Sequence, residues 1–556
     1  MDKLSKLLLL ALFTVACNWC AAQVNTKTYV VYLNAKTTNS FNPYQYFDAK
    51  NIERKVLAHL PLFDARDLPV NEVAVNAIKS TSAEVLVVSR WLNAVFVNAS
   101  FEQIEKIKNF HSVKFIDEFK SAKAKIIASV NSELTPRNKQ ILKYQTKRLQ
   151  VDDFESKNLT GKGIRIAVFD VGFSGADKHT AFKHIYDNQR IIKTYDFVKN
   201  NNNVYLGGAH GTNTLSCIAG VYNGQKMGMA TDAEFLLART EWNTKEDKQE
   251  EYFWLAAAEW ADKNGANIIS SSLGYGDNWY TVKDMDGKKS VVAFAATVAA
   301  QKGLLVVNSA GNEYEDKKWR TIITPSDADS VLCVGGTDPY SDRHISFSSI
   351  GPSADYRTKP NVSAPGQVIA ANPNGSISQT FGTSFSCPLI SGFAACAWQS
   401  NRSLTNMQLF AEIEKSGHLY PYFDYMHGHG VPQASYFTKT KKSILPNFHL
   451  IDSLKDNQTI TFQVTDSIFI KKYQAYDSYQ ALIDTVNTDS ILIPEVEEPK
   501  ACNLYWNVKN NEGKILYYEV IEVESIEDIV INPKTIQKGY VLTFHFEGYT
   551  LTKTIE

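Results

Sequence analysis

The chain has 556 residues, 44% of them hydrophobic and 21% charged, with a formal net charge of −1. That length leaves room for about three globular domains, and the balanced charge gives no sign of nucleic acid or an acidic surface as partner. Function has to come from particular sites.

The N-terminus opens with Lys3 and Lys6, then an apolar run from Leu7 to Ala16, then small residues at Cys20 and Ala22. That order reads as an export signal over residues 1–22, cleaved before Gln23. Lipidation at Cys17, after Thr14, Val15 and Ala16, is the competing reading. The run is too short to cross a bilayer, and no later stretch approaches about 20 apolar residues. Secretion or the cell surface is the implied destination, with periplasm and outer membrane open. Five cysteines remain after such a cut: Cys217, Cys333, Cys387, Cys396 and Cys502. An odd number at irregular spacing is no disulfide framework, and Cys217 and Cys387 read as buried small hydrophobes.

Residues 23–120 read as a separate α+β unit. Tyr29–Leu33, Glu84–Val88 and Ala94–Val97 are strand-like. Ser100 and Gln103 form a capping box that opens a helix with Phe101, Ile104 and Ile107 on one face, and Val113–Ile116 is a further strand. The stretch from Lys120 to Lys147 is polar and basic, with Pro136, and reads as a linker over 121–145 followed by the start of the next domain.

Within residues 146–440, Ile164, Ile166 and Val168 alternate with Ala167 and Phe169, so Gly163–Asp170 predicts a buried parallel strand with Asp170 at its C-terminal end. Reactive groups of open α/β sheets sit at that edge. His210 stands before Leu215, Ile218 and Ala219 at helical spacing, which places its imidazole at a helix N-terminus. Ser384 also precedes a helix, with Pro388 in the first turn and Leu389, Ile390 and Phe393 beyond. Asn312 follows the apolar strand Leu304–Val307 and the small residues Ser309, Ala310 and Gly311. An acid, a base, an amide donor and a hydroxyl nucleophile are the set that acyl transfer to serine requires.

Neither Gly382-Thr383-Ser384 nor His210-Gly211-Thr212 is specific alone. Together, in the order Asp, His, Ser with Ala310-Gly311-Asn312 between, they make the chain resemble the subtilisin-like serine proteases. The resemblance implies an α/β fold, a subtilisin-like parallel sheet with helices on both faces, preceded by an α+β propeptide and followed by a β-sandwich-like domain. It implies a serine endopeptidase with Asp170, His210 and Ser384 as triad and Asn312 with the Ser384 N–H as oxyanion hole. Ile268–Gly274 resembles the family strand that pairs with substrate backbone, with Ser272, Leu273 and Gly274 at its open end. Residues 359–366 and 428–432 resemble further family segments. Residues 24–120 resemble the family propeptide, a ferredoxin-like domain that templates folding and blocks the cleft, against an unrelated small α+β domain. Protein or peptide substrates and the chain's own propeptide are the implied partners. No cofactor is required; members often carry structural calcium, for which this sequence assigns no site. The residue after the acid is Val171, where the family more often has Ser or Thr, and that loss bears on the tuning of Asp170. The competing class is a catalytically silent surface binding protein on the same fold.

Other motifs point to structure. Gly161-Lys162-Gly163 precedes its strand and lacks the third glycine of a dinucleotide loop. His179 with His184, and His427 with His429, lack acidic or Cys partners at ligand spacing and read as surface or turn residues. Asp284-Met285-Asp286-Gly287 resembles the start of a calcium loop without its downstream ligands and reads as a turn.

Beyond the closing helix, where Thr405 caps and Leu409, Phe410 and Ile413 face inward, the pattern changes to alternation: Ile460, Phe462 and Val464, later Leu542, Phe544 and Phe546. Residues 441–556 therefore read as a β-rich domain. Lys439–Pro446 has the look of a boundary that few contacts cross, which makes the tail dispensable for chemistry, with Phe448 the residue that would pack back if it is not. Gly539–Lys553 resembles the C-terminal sorting domains of type IX secretion, against a plain accessory β domain.

Overall fold

A computed structural model describes residues 26–34, 36, 41–119, 136–243, 247–440, 444–452, 459–465, 502–523, 525–531 and 536–555. The export signal and most of the linker lie outside them. The chain divides into two compact units, one of residues up to Phe41 together with Phe63–Ser121, the other of Asn42–Leu62 and everything from Ala122 on.

The first unit has strands β1 (Lys27–Leu33), β2 (Glu84–Ser89), β3 (Ala94–Ala99) and β4 (Val113–Phe119), with helices α1 (Glu72–Ser80) and α2 (Phe101–Lys108). The sheet order β2-β3-β1-β4 is antiparallel in every pair, which is the ferredoxin-like arrangement. Asn71 caps α1, and Ser100 with Gln103 closes a capping box on α2. Val31, Ile78, Val95, Val97 and Ile107 form the core. The expected separate unit over residues 23–120 is corrected at one place: residues 42–62 pack with the second unit, where Arg54 is buried in an ion pair with Asp262.

In the second unit, seven parallel strands form one sheet: β5 (Arg165–Asp170), β6 (Ile191–Asp196), β7 (Glu234–Arg239), β8 (Ile268–Ser271), β9 (Leu305–Ser309), β10 (Val331–Thr337) and β11 (Val362–Pro365), in the order β11-β10-β9-β8-β5-β7-β6. All six residues of β5 are buried. Its alternation sends Ile166 and Val168 into a core with Leu215, Ile218 and Phe393, while Phe169 meets Trp254 edge-on at 5.3 Å between ring centroids. Helices therefore cover both faces, as a fully apolar parallel strand requires. They include α4 (His210–Ala219), α5 (Glu250–Lys263), α6 (Val291–Gln301), α7 (Thr383–Ser400) and α8 (Asn406–Lys415, capped by Thr405).

The linker expected over 121–145 ends earlier. Residues 136–147 form helix α3, whose Ile141 and Leu142 join the main core and whose Gln145 exchanges hydrogen bonds with the backbone of Ile369. A polar, basic composition concealed this because the helix needs only a narrow apolar stripe against the sheet domain.

Two antiparallel sheets make the C-terminal domain: β12 (Phe448–Asp452), β13 (Thr459–Val464) and β16 (Ile526–Val530) in one, and β14 (Asn503–Lys509), β15 (Ile515–Glu522), β17 (Val541–Phe546) and β18 (Tyr549–Thr554) in the other. They share a core that includes Phe448, Phe462, Trp506 and Phe544. Phe448 thus serves this domain rather than bracing the peptidase. The bracing comes from elsewhere: Tyr505 packs on Leu419 and Tyr422, Asn507 donates to the Phe423 carbonyl at 2.8 Å, and Arg343 donates to Asn503 at 2.9 Å. The boundary near residue 441 is therefore crossed by buried contacts, which corrects the expectation that few contacts cross it. A chain ending at residue 441 exposes Leu419, Tyr422 and Phe423 and is expected to melt at least about 5 °C below the full-length protein. An unchanged thermal transition would show that the tail carries no load.

Candidate active site

Asp170 ends β5 with no exposed surface. A buried carboxylate must be hydrogen-bonded on all sides, and it is. Oδ1 accepts the Val171 N–H at 2.8 Å, Oδ2 accepts the Thr214 hydroxyl at 3.0 Å, and His210 Nδ1 lies 2.9 and 3.1 Å from the two oxygens. With Nδ1–H donating to the acid, Nε2 is left as an acceptor. Burial lowers the pKa of His210, but the Asp170 charge and hydrogen bond outweigh it and hold the imidazole above its ordinary value. Thr214 was not singled out from sequence. It lies four residues past His210, one helical turn on, and supplies a hydroxyl that residue 171 lacks. Arg239, ion-paired to Asp196 at 2.9 Å, donates to the Val171 carbonyl at 2.9 Å and fixes the chain just past the acid. Only glycine fits at 211, since a Cβ there would lie 2.3 Å from the Gly172 carbonyl oxygen.

Ser384 is the second residue of α7, so its N–H is among the first-turn donors that lack a helical partner. Gly382, just ahead, has φ +143°, a conformation that favours glycine. Pro388 sits in the second turn rather than the first. Lacking an N–H, it leaves the Ser384 carbonyl without its helical donor, and the Ser272 hydroxyl donates to that oxygen at 2.7 Å. The Ser384 hydroxyl in turn lies 3.4 Å from the Ser272 carbonyl oxygen. Asn312 is oriented by Thr383: its Oδ1 accepts the Thr383 N–H at 2.9 Å and the Thr383 hydroxyl at 3.1 Å. The Nδ2 end is thereby turned away from these donors, and Gly382 lies beside it.

Ser272, Leu273 and Gly274 follow β8. Ser272 ties the segment to Ser384, Leu273 is held through its carbonyl by Asn308 Nδ2 at 2.9 Å, and Gly274 is exposed. Tyr275 then exchanges backbone hydrogen bonds with Thr324 and donates its hydroxyl to Glu241 Oε1 at 2.8 Å. Glu241 is buried and hydrogen-bonded to the equally buried Glu250. Two carboxyls so joined hold a proton between them. Burial first, and then the Glu250 charge, push the Glu241 carboxyl well above the usual carboxylate range.

The other histidines have structural partners. His179 accepts the Ala181 N–H at 3.0 Å and its Nε2 meets the Ser376 carbonyl; His184 meets the Ala219 carbonyl at 3.0 Å. His179 and His427 are buried rather than at the surface. His427 pairs with Asp424 at 3.0 Å, and His429 lies 2.8 Å from the Tyr422 carbonyl. Asp284 accepts from Thr281 in a short turn. Among the described residues there is no group of three or more His, Cys, Asp or Glu side chains placed to hold a metal ion, and no helix is long and apolar enough to cross a membrane.

A parallel α/β sheet that gathers Asp, His and Ser at its C-terminal edge has the form of a serine hydrolase. Residues 161–430 match the subtilase family and residues 28–138 the peptidase S8 propeptide domain of Bacteroidota. Subtilisin NAT of Bacillus subtilis subsp. natto is 24% identical over 331 residues, 59% of this chain and 76% of its own. Subtilisin of Bacillus pumilus is 26% identical over 281 residues, 50% and 92% of the two chains. Subtilisin BL of Lederbergia lenta is 28% identical over 265 residues, 47% and 86%. The chain belongs to the subtilisin-like serine proteases, endopeptidases, with a propeptide domain ahead of the peptidase.

Two predictions follow from the neighbours of the site. Thr214→Val removes a hydrogen bond to a charged group and should lower kcat about tenfold with little change in KM, while Thr214→Ser retains most activity; steady-state kinetics on a peptide substrate decide it. Glu241 has a raised folded-state pKa, so the stability it lends is full at acid pH and is lost as pH rises through that value. KM for extended peptides is therefore expected to climb as pH rises through that value in the wild type and to stay flat in Glu241→Gln, whose amide keeps a donor toward Glu250 at every pH. Superimposable pH profiles would remove Glu241 from this role.

Proposed function

We propose that this protein is exported and hydrolyses peptide bonds through an Asp170-His210-Ser384 triad and an acyl-enzyme. The observation that carries the reading is the Asp170–His210 pair, a dyad at 2.9 Å, with Ser384 at the start of a helix whose next residue, Phe385, has its ring 5.6 Å from the imidazole. Ser384 Oγ attacks the scissile carbonyl carbon as its proton passes to His210 Nε2. Asn312 Nδ2 and the Ser384 N–H stabilise the oxyanion. Collapse breaks the C–N bond and the proton on His210 goes to the leaving amine. Water then repeats the sequence on the ester and returns the serine. Asp170 keeps the tautomer and stabilises the imidazolium. Extended substrate lies along Ser272–Gly274.

Ser384→Ala should fold normally and lose both peptide turnover and labelling by a fluorophosphonate; turnover within tenfold of wild type rejects the nucleophile. Asn312→Ala should lower kcat by about 10²-fold with KM little changed. The acid limb of kcat/KM should have its midpoint above 6.5, the ordinary histidine value, because only neutral His210 accepts the proton; Asp170→Asn should move it down and cut kcat by about 10⁴.

The same reading makes residues 23–120 an inhibitory propeptide removed by the enzyme itself. Since helix α3 is built into the peptidase core, the cut falls between residues 120 and 135. N-terminal sequencing should find that new end in the wild type and an uncut chain in Ser384→Ala; identical ends in both would assign maturation to another protease. The C-terminal domain, in this reading, addresses the chain to secretion machinery of the type IX kind.

A further inference from the structure

Residues 42–62 stand apart from the rest of the pro-region. Asn42–Leu62 interrupts the ferredoxin-like unit between β1 and α1, yet it packs with the peptidase. Its helix Ala49–Leu57, capped by Asp48, lays Arg54 against the turn between α5 and β8. Arg54 is 3% exposed and reaches three acceptors: the Asp262 carboxylate, the Ala266 carbonyl and, at 3.3 Å, the Lys302 carbonyl. Asn51, also buried, donates to the Asp262 carboxylate at 2.8 Å and to its carbonyl at 2.6 Å. Around this centre lie rim ion pairs, Asp48 with Arg165 at 3.2 Å, Lys50 with Glu234 at 3.6 Å and Glu53 with Arg402 at 3.6 Å. The approach is close enough to demand glycine at 265, where φ is +73° and a Cβ would lie 2.7 Å from Lys50 Cβ.

Where this contact falls is informative. Arg165 opens β5, Glu234 opens β7, and residues 262–267 and Lys302 directly precede β8 and β9. All lie at the N-terminal edge of the parallel sheet. Asp170 and Ser272 lie at the other end of the same strands, five residue steps or about 17 Å away.

We propose that residues 42–62 are a docking strap: an interaction surface at the N-terminal edge of the peptidase sheet takes this segment of the pro-region as its partner and holds it independently of the active-site cleft. The proposal rests on the reading of residues 23–120 as a propeptide. A pro-region cut beyond residue 119 is then retained through the strap even when the cleft is occupied by something else. Arg54 is the anchor, because withdrawing it leaves Asp262 buried without its cation.

The test uses the full chain with Ser384→Ala and an exogenous protease site placed within residues 121–135, cut while folded. Release of the N-terminal fragment from the immobilised peptidase is then timed. The strap predicts slow release from the parent chain, unchanged by a cleft-directed peptide inhibitor. Arg54→Ala should release at least about a hundredfold faster, and Lys50→Glu, a rim change that leaves the buried centre intact, about tenfold faster and more so in high salt. Equal release rates for the parent and Lys50→Glu chains, or expulsion of the parent fragment by the inhibitor alone, overturns the proposal. Self-cleavage plays no part in this measurement, so a wild type that fails to mature counts against the zymogen reading and not against the strap.

Discussion

A carboxylate with no exposed surface sits at the centre of this molecule. Asp170 is tolerable there only because Val171, Thr214 and His210 each give it a hydrogen bond, and each of those donors is itself imposed by the fold. The Val171 amide points back because the strand ends there. Thr214 arrives because α4 begins at His210 and turns once. His210 approaches because glycine at 211 lets the helix close on the strand. Loss of any one would leave the buried charge short of a hydrogen bond, a cost of about 1–3 kcal/mol, so the site and the surrounding packing are one problem.

How much of this was legible in the sequence depended on the range of the signal. Buried parallel strands write themselves as unbroken apolar runs, so β5 and β9 and the residues at their ends could be read directly. The capping boxes of α2 and α8 are local chemistry at fixed spacing and were equally plain. What could not be read were pairings across long separations: Thr383 turning Asn312 from 71 residues away, Ser272 meeting Ser384 from 112, Glu241 reaching Tyr275. Thr214 is the exception, since its spacing from His210 was visible and its hydroxyl could have been matched to the one missing at Val171. The errors have the same cause. Helix α3 hid in a basic stretch because only Ile141 and Leu142 need to be apolar, and the tail looked separable because Tyr505, Asn507 and Asn503 give no sign in sequence of the partners they meet.

The two edges of the parallel sheet carry different duties. At the C-terminal edge backbone groups and side chains are left for a substrate, as in other open α/β sheets. The N-terminal edge is closed by charge: Arg54, Asp262, Arg165 and Glu234 neutralise one another there. A parallel sheet has no hairpins to hold its strand starts together, and a buried arginine that donates to carbonyls in the turns before two neighbouring strands does that work.

The five described cysteines are all buried, and Cys217, Cys333, Cys387 and Cys396, those of the peptidase, are free thiols. Burial pushes the thiols of Cys217, Cys387 and Cys396 up to about 12 and that of Cys333 to about 11. Thiol–disulfide exchange proceeds through the thiolate, which at neutral pH these groups scarcely form. Among the described residues, the peptidase thiols are therefore kept from exchange at neutral pH: they offer an oxidising compartment no ready cross-link and a reductant none to break.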